Sequence, residues 1–336
     1  MRVALCGLGE IGQIHLQAIA ESEEAELVAV CELDAGLAAK SVGEEVPVFT
    51  DVAEMIEQAG PEVVDICLPH HLHVPVAVTA LERGCDVLLE KPMADDLAGC
   101  DRIAAAAKAA GRRVGISHNQ IHYEPSRRLR ELIDSGQLGQ IRAIYERLWM
   151  GGKYGGWRED STQVGGGLLM DAGVHRVYMA EYLGGPIASV SASMDSPRRE
   201  DSFVLDLEFE SGARGVIQGG YHGPDGVFDD RIDIQASRGM AEMLGCEAFF
   251  EGDLEGEVRL RTRLDGVWAD DPVIDHWDRS VISSVRASLA DLAAGRDPEV
   301  GLDAGRSAVA VIEAAYRSAE TGRRIRISEL EERNLA

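Results

Sequence analysis

The stretch RVALCGLGEIG, Arg2–Gly12, passes from a short apolar run straight into three glycines spaced Gly7-x-Gly9-x-x-Gly12, and a helix-period segment, Gly12–Ser22, follows. Each glycine answers a separate steric demand at a strand-to-helix turn. One allows the tight bend, one lets backbone come close to a pyrophosphate, and one lets the helix pack hard on the strand. The helix N-terminus then presents backbone N–H groups and the positive end of its dipole to phosphate oxygens. Twenty residues past Gly12, the run ELVAVCE ends on Glu32. A carboxylate there can accept both hydroxyls of an adenine ribose. It would repel a 2′-phosphate, and no arginine follows closely, so NAD is favoured over NADP. Asp34 is a second candidate for the same role.

Working outward, RVALCG, ELVAVCE, VVDICLP, DVLLEK and RRVGISH are continuous apolar runs of strand length, separated by helix-period segments such as His73–Arg83. Strands apolar on both faces and alternating with helices imply a parallel sheet covered on both sides, a doubly wound Rossmann domain over residues 1–120. Beyond it the composition changes. Of seventeen aromatic residues only Phe49 precedes residue 120. After a helix near Pro125–Ser135 come QIRAIYERLWM, IASVSASM, DSFVLDLEFESGARGVIQGGY and DRIDIQASRGMAEM. In the third, Phe203, Leu205, Leu207 and Phe209 alternate with Val204, Asp206 and Glu208, and Ser211-Gly212 offer a hairpin turn. The reading is an α+β domain over 121–336 with an open, mostly antiparallel sheet. A last helix near Ala304–Thr321 stops at Gly322.

Bulk properties bound the function. With 336 residues, 45% hydrophobic and 27% charged, the chain reads as a globular protein of two domains. A net charge of −25 argues against a nucleic-acid partner. Six cysteines, Cys6, Cys31, Cys67, Cys85, Cys100 and Cys246, lie mostly in apolar stretches without a C-x-x-C pair. They read as reduced thiols in a cytoplasmic protein, with no structural metal. No run is long enough to span a membrane, and the chain opens on a strand rather than on a signal peptide.

Two further stretches carry chemistry. In DVLLEKPMAD, Asp86–Asp95, a buried strand ends on Glu90-Lys91-Pro92. Ligands of an open parallel sheet lie beyond the carboxyl ends of its strands, so Lys91 points towards the cofactor. Pro92 biases Lys91 away from helical geometry, and the Lys91–Pro92 bond is a candidate for a cis peptide. A partly desolvated lysine can stabilise an alkoxide or share its proton. In VGGGLLMDAGVHRVYMAEYL, Asp171 and His175 are four residues apart, one face of a helix, and Gly165-Gly166-Gly167 would let that face approach a ligand. An imidazole oriented by a carboxylate is an acid/base pair suited to neutral pH.

The ordered set Gly7-Leu8-Gly9-Glu10-Ile11-Gly12, LPHHLH (Leu68–His73), Glu90-Lys91-Pro92 and Asp171-x-Gly173-x-His175 resembles the Gfo/Idh/MocA oxidoreductases across nearly the whole chain. The resemblance implies NAD(P)-dependent oxidation of a carbinol, usually on a sugar or cyclitol, and a C-terminal sheet that assembles homodimers or homotetramers. It implies that Lys91 holds the reacting hydroxyl, that His175 removes its proton, and that Asp171 orients substrate and imidazole. Pro69, His70 and His73 would run along the nicotinamide ribose, although many members carry Asn where this chain has His70. Glu90, Lys91 and Asn119 join Gly7, Gly9, Glu10, Ile11, Gly12 and Glu32 on the cofactor side.

Substrate choice is expected from SHNQIHYEP, Ser117–Pro125, where Asn119 can touch nicotinamide or substrate, and from the glycine-rich GGKYGGWRED, Gly151–Asp160. There Tyr154 and Trp157 offer faces for a sugar ring, and Lys153 or Arg158 a partner for an acidic group. Trp268, His276 and Trp277 suggest a second loop. Two alternatives stand beside the sugar dehydrogenase. One is the same fold acting on a non-sugar skeleton or keeping its cofactor bound. The other is a non-catalytic dinucleotide sensor, which would not need Lys91, Asp171 and His175 together.

Overall fold

A computed structural model describes residues 1–152, 155–223, 228–245 and 257–331. Lys153, Tyr154 and Cys246 therefore lie outside the described residues. The chain divides into two compact units: Met1–Asn119 with Val281–Ser307, and Gln120–Ser280 with Ala308–Ala336.

The first unit alternates strands and helices: β1 (Arg2–Cys6), α1 (Glu10–Ala20), β2 (Glu26–Cys31), α2 (Ala35–Ser41), β3 (Val48–Phe49), α3 (Val52–Ala59), β4 (Val63–Ile66), α4 (His73–Glu82), β5 (Asp86–Glu90), α5 (Leu97–Ala110) and β6 (Val114–Ser117). All six strands are parallel, in the order β3-β2-β1-β4-β5-β6. The order reverses between β1 and β4, which places the turns after these strands side by side at the position where such sheets bind dinucleotides. Val3, Ala4, Leu5, Val87, Leu88 and Leu89 are wholly buried, as runs apolar on both faces require.

Residues 121–336 do not form one continuous block, because 281–307 return to the first unit. The reason is the outer edge of β6. The Ile116 N–H donates to the Val300 carbonyl at 2.8 Å, Pro298 packs on Gly115, and Arg306 pairs with Asp101 at 2.7 Å. An edge strand is left open unless another segment covers its polar groups.

The second unit holds α6 (Glu124–Asp134), β7 (Ile141–Met150), the single turn α7 (Ser161–Val164), α8 (Val174–Gly184), β8 (Ile187–Met194), β9 (Ser202–Phe209), β10 (Arg214–Gly220), β11 (Phe228–Ala236), β12 (Gly239–Gly245), β13 (Glu257–Leu264) and β14 (Val267–His276). Helices α9 (Trp277–Ala293) and α10 (Leu302–Thr321), the short β15 (Ile325–Arg326) and the single turn α11 (Ser328–Glu331) close the described chain. The nine strands run β14-β13-β12-β11-β7-β10-β9-β8-β15, antiparallel except where β7 meets β10. The alternation read in β9 holds: Phe203, Leu205, Leu207 and Phe209 are buried, and Gly212 takes the left-handed φ of 83° in the following turn. Trp268 lies in β14, with the Arg261 guanidinium 4.6 Å above its ring, not in a loop.

Helix α8 is fixed to the sheet by charge as well as by apolar packing. Arg176 is buried and forms an ion pair with Asp230 of β11, with Glu146 of β7 3.7 Å away. One guanidinium cannot neutralise two buried carboxylates, and burial pushes Glu146 up to about 8 and Asp230 up to about 6 despite Arg176. Both values exceed those of the unfolded chain, about 4.3 for Glu and 3.9 for Asp. The folded state therefore holds more protons than the unfolded state between these limits. This contribution to stability is complete below about pH 4 and declines as pH rises through 6 to 8. Replacing Arg176 by Met strands the carboxylates and is expected to cost about 3–5 kcal/mol, with the largest loss above pH 8. Urea denaturation of both proteins across pH 5–9 measures this.

Candidate active site

The turn after β1 is steric in origin. Gly7 has φ of 90°, and a Cβ there would lie 2.3 Å from the Cys67 carbonyl oxygen. A Cβ on Gly12 would lie 2.2 Å from the Gly7 carbonyl oxygen. No other residue fits at either place, since such distances are well inside van der Waals contact. Gly9 differs: its backbone is extended, and a Cβ would meet nothing within 4 Å. That open space lies at the N-terminus of α1, where no side chain caps the helix, so the turn fits a phosphate-bearing cofactor.

Glu32 closes the turn from the side. Its carboxylate accepts the Leu8 N–H and the Asp34 N–H, each at 2.9 Å, while the Gly7 N–H donates to Cys31 at the end of β2. A carboxylate has about four lone-pair positions, so two remain for ribose hydroxyls. Asp34 caps α2, one carboxylate oxygen accepting from Gly36 and Leu37. Of the two acids, Glu32 is the one bonded to the glycine turn itself, through Leu8.

The turns after β4 and β5 are tied together. His73 is wholly buried, with one ring nitrogen 2.8 Å from the Pro92 carbonyl and the other 2.8 Å from the Leu68 carbonyl. It braces two loops and has no exposed surface to offer a ligand. Burial lowers its basicity. Pro69 is half-buried and His70 buried in the same short turn. Lys91 is half-buried at the end of β5, and its peptide bond to Pro92 is cis. Burial and the Lys91 charge together push the nearby His118 down to about 3, so that ring is neutral. Asn119 is almost fully buried in the turn that follows β6.

In the second unit Asp171 and His175 are not on one uninterrupted α-helix. Leu169–Gly173 form a π turn that runs into α8, so Asp171 sits in the wide turn and His175 in the first turn of the narrower helix. Such turns recur at functional sites. Asp171 is buried and His175 half-buried. Arg158 is salt-bridged to Asp171 at 3.2 Å and stacks on Trp157 at 4.6 Å. Within this unit, then, Arg158 links Trp157 to Asp171, its partner being an acid of the protein itself.

The glycines before the π turn serve a different end from the one expected. A Cβ on Gly166 would strike the Tyr316 hydroxyl at 2.3 Å, and one on Gly167 the Glu200 backbone at 2.4 Å. Their close approach is to protein, not to ligand. Glu200, missed in the sequence, is wholly buried and accepts from the Leu169 N–H at 2.8 Å and from the Tyr316 hydroxyl at 3.1 Å. It thus holds the start of the π turn that carries Asp171. One acid among 58 acidic residues gave no sequence signal.

Comparison with known proteins gives the family of this fold. The family model described as the oxidoreductase family with NAD-binding Rossmann fold matches residues 1–118, and the GFO/IDH/MocA C-terminal domain matches 126–242. The chain belongs to the Gfo/Idh/MocA oxidoreductases, and its cofactor is NAD. It is 31% identical over 232 residues to 1-carboxy-3-chloro-3,4-dihydroxycyclohexa-1,5-diene dehydrogenase of Comamonas testosteroni, covering 66% of this chain and 58% of that protein. To the myo-inositol 2-dehydrogenase of Thermotoga maritima it is 24% identical, covering 98% and 99%. The crystal structure of aldose-aldose oxidoreductase from Caulobacter crescentus, complexed with glycerol, superposes with a TM-score of 0.84 at 26% identity, covering 97% and 99%.

The three glycines separate by experiment. Gly12→Ala is expected to destabilise the protein by about 2 kcal/mol, the scale of an overpacked contact. Gly9→Ala is expected to leave thermal unfolding unchanged while weakening NAD about tenfold or more, because only the cofactor's space is lost. Calorimetric unfolding and NAD titration of both variants check this.

Proposed function

We propose that this chain is an NAD-dependent dehydrogenase that oxidises a secondary alcohol of a sugar, a cyclitol or a derivative of one, in the cytoplasm. The observation that carries the proposal is Lys91, a half-buried ammonium at the carboxyl end of β5, in a chain that also brings an intact Asp171 and His175. NAD, when bound, supplies the acceptor for the hydride that leaves the carbinol carbon. Gly7, Gly9, Glu10, Ile11 and Gly12 hold its pyrophosphate, Glu32 its adenine ribose, and Pro69, His70, Glu90 and Asn119 its other end. Lys91 donates a hydrogen bond to the reacting oxygen and stabilises the negative charge that builds on it. His175 accepts the hydroxyl proton, and Asp171 orients substrate and imidazole.

Arg158 and Trp157 set the substrate class. Arg158 now neutralises Asp171, so a polyol entering beside Asp171 exchanges one hydrogen-bond donor for another. The indole face of Trp157 suits the C–H face of a pyranose or cyclitol ring. The names of the Thermotoga and Caulobacter relatives, an inositol dehydrogenase and an aldose oxidoreductase, support this reading, while the Comamonas relative is named for a cyclohexadiene diol.

The outward face of the nine-stranded sheet carries Tyr145, Trp149 and Val204, each more than two-fifths exposed, and we assign it to a second copy of the chain. Trp149→Glu is expected to lower the mass seen by sedimentation; an unchanged mass would remove this face from the assembly.

A panel of sugars, inositols, sugar acids and glycosides, followed by NADH absorbance, tests the activity. Lys91→Ala is expected to lower kcat by about a hundredfold or more, with NAD affinity changing far less. Turnover equal to that of the parent would remove Lys91 from the reaction.

A further inference from the structure

The first unit contains two buried charged groups, His15 and Asp65, that the proposed reaction does not use. His15, on the third residue after Gly12, is wholly buried in α1. Its Nδ1 lies 2.9 Å and 3.1 Å from the two carboxylate oxygens of Asp65 in β4. Its Nε2 lies 3.3 Å from Oε1 of Glu90, the last residue of β5 and the neighbour of Lys91. A neutral imidazole has one donor and one acceptor nitrogen, and ionised carboxylates only accept. A ring with a carboxylate at each nitrogen is satisfied only when both nitrogens carry hydrogen.

We propose that His15 is a positioning residue for Lys91: it clamps the Glu90 carboxylate against the carboxylate of Asp65, and so sets the direction and the charge surroundings of the ammonium next door. The row then reads Asp65, His15, Glu90, Lys91, with alternating sign and no net charge. Without the imidazolium, two carboxylates would share one buried region, and Glu90 would turn to Lys91 as its only cation. Lys91 would then be held by its own neighbour and lost to a substrate oxygen.

The surroundings agree. Burial alone would make His15 less basic, but the Asp65 carboxylate outweighs it and holds the imidazole well above its ordinary value. Burial works to raise Glu90, yet the hydrogen bond to His15 outweighs it, aided by Lys91 and Ser117. The other groups facing the row are neutral: the Cys67 thiol is pushed up to about 12 by burial, and His118 is pushed down to about 3. His15, Asp65 and Cys67 place ligand atoms within 4.8 Å of one another, but both ring nitrogens already face carboxylates and the thiol keeps its proton. The trio is therefore an ion pair beside a thiol.

The consequence for turnover rests on the role proposed for Lys91, whereas the electrostatic effect can be measured without any substrate. The chain has four lysines, Lys40, Lys91, Lys108 and Lys153, so ¹³C reductive methylation gives few signals, and Lys91→Arg identifies the one that matters. In the parent protein the ¹⁵N resonances of His15 are expected to show both ring nitrogens protonated at pH 7.5. In His15→Gln the Lys91 amine is expected to titrate about one pH unit higher, the effect of losing a nearby cation. Asp65→Asn preserves shape and serves if His15→Gln does not fold. In it His15 should lose its proton at lower pH, and Lys91 should shift the same way by less. A singly protonated His15 at pH 7.5, or a Lys91 titration unchanged in a folded variant, would overturn the proposal. With a substrate from the panel, His15→Gln should lower kcat about tenfold or more at constant KM for NAD. Failure of every panel member would sink the dehydrogenase reading alone and leave the two NMR results standing.

Discussion

The first unit depends on one non-negotiable distance: the backbone of Gly12 rests against the carbonyl of Gly7, and that of Gly7 against Cys67, with no room for a single carbon between them. These contacts bring the start of α1 up to the ends of β1 and β4 at the place where the strand order reverses. The same approach carries His15, one turn further along α1, to Asp65 of β4 and Glu90 of β5. Cofactor turn and charge row are therefore products of one steric event. Backbone contact supplies the precision, and the buried charges make use of it. Glu32 completes the arrangement by giving two hydrogen-bond positions to the protein and keeping two for a ligand.

The second unit is organised by a different force. Its helix α8 is drawn onto the sheet by a buried arginine among two carboxylates, while Glu200 and Tyr316 fix the turn that precedes it. Buried pairs of this kind are weak sources of net stability but sharply penalise any other arrangement. Such selectivity fixes the start of α8, where His175 stands directly after the turn that carries Asp171. Arg158 adds a cation beside Asp171, so that carboxylate is compensated within the unit.

Much of this was legible in the chain. Apolar runs of strand length located β1, β2, β4, β5 and β6, the period-two pattern located β9 with its turn at Gly212, and Gly322 marked the end of α10. These signals are local, written in neighbouring residues. What escaped was long-range. That 281–307 return to cover β6 depends on a partner almost two hundred residues away in sequence, roughly the reach of a whole domain. Gly165-Gly166-Gly167 announced a close approach but not its object, and the object proved to be Glu200 and Tyr316. The two-residue β3 was too short to leave a periodic trace. His15 looked like one more residue on a helix, since the carboxylates that define it stand on two other strands.

The π turn at Leu169–Gly173 has a further meaning for how this helix can vary. A wide turn amounts to one residue more than a regular helix needs, inserted without loss of continuity. The wide turn takes up its additional residue within one turn, so deleting a residue there would restore an ordinary spiral and leave the chain on either side in nearly the same phase. Asp171 and His175 would then stand three positions apart instead of four, still on neighbouring faces. The segment is thus a place where length can change by one residue while the body of α8 keeps its seat on the sheet.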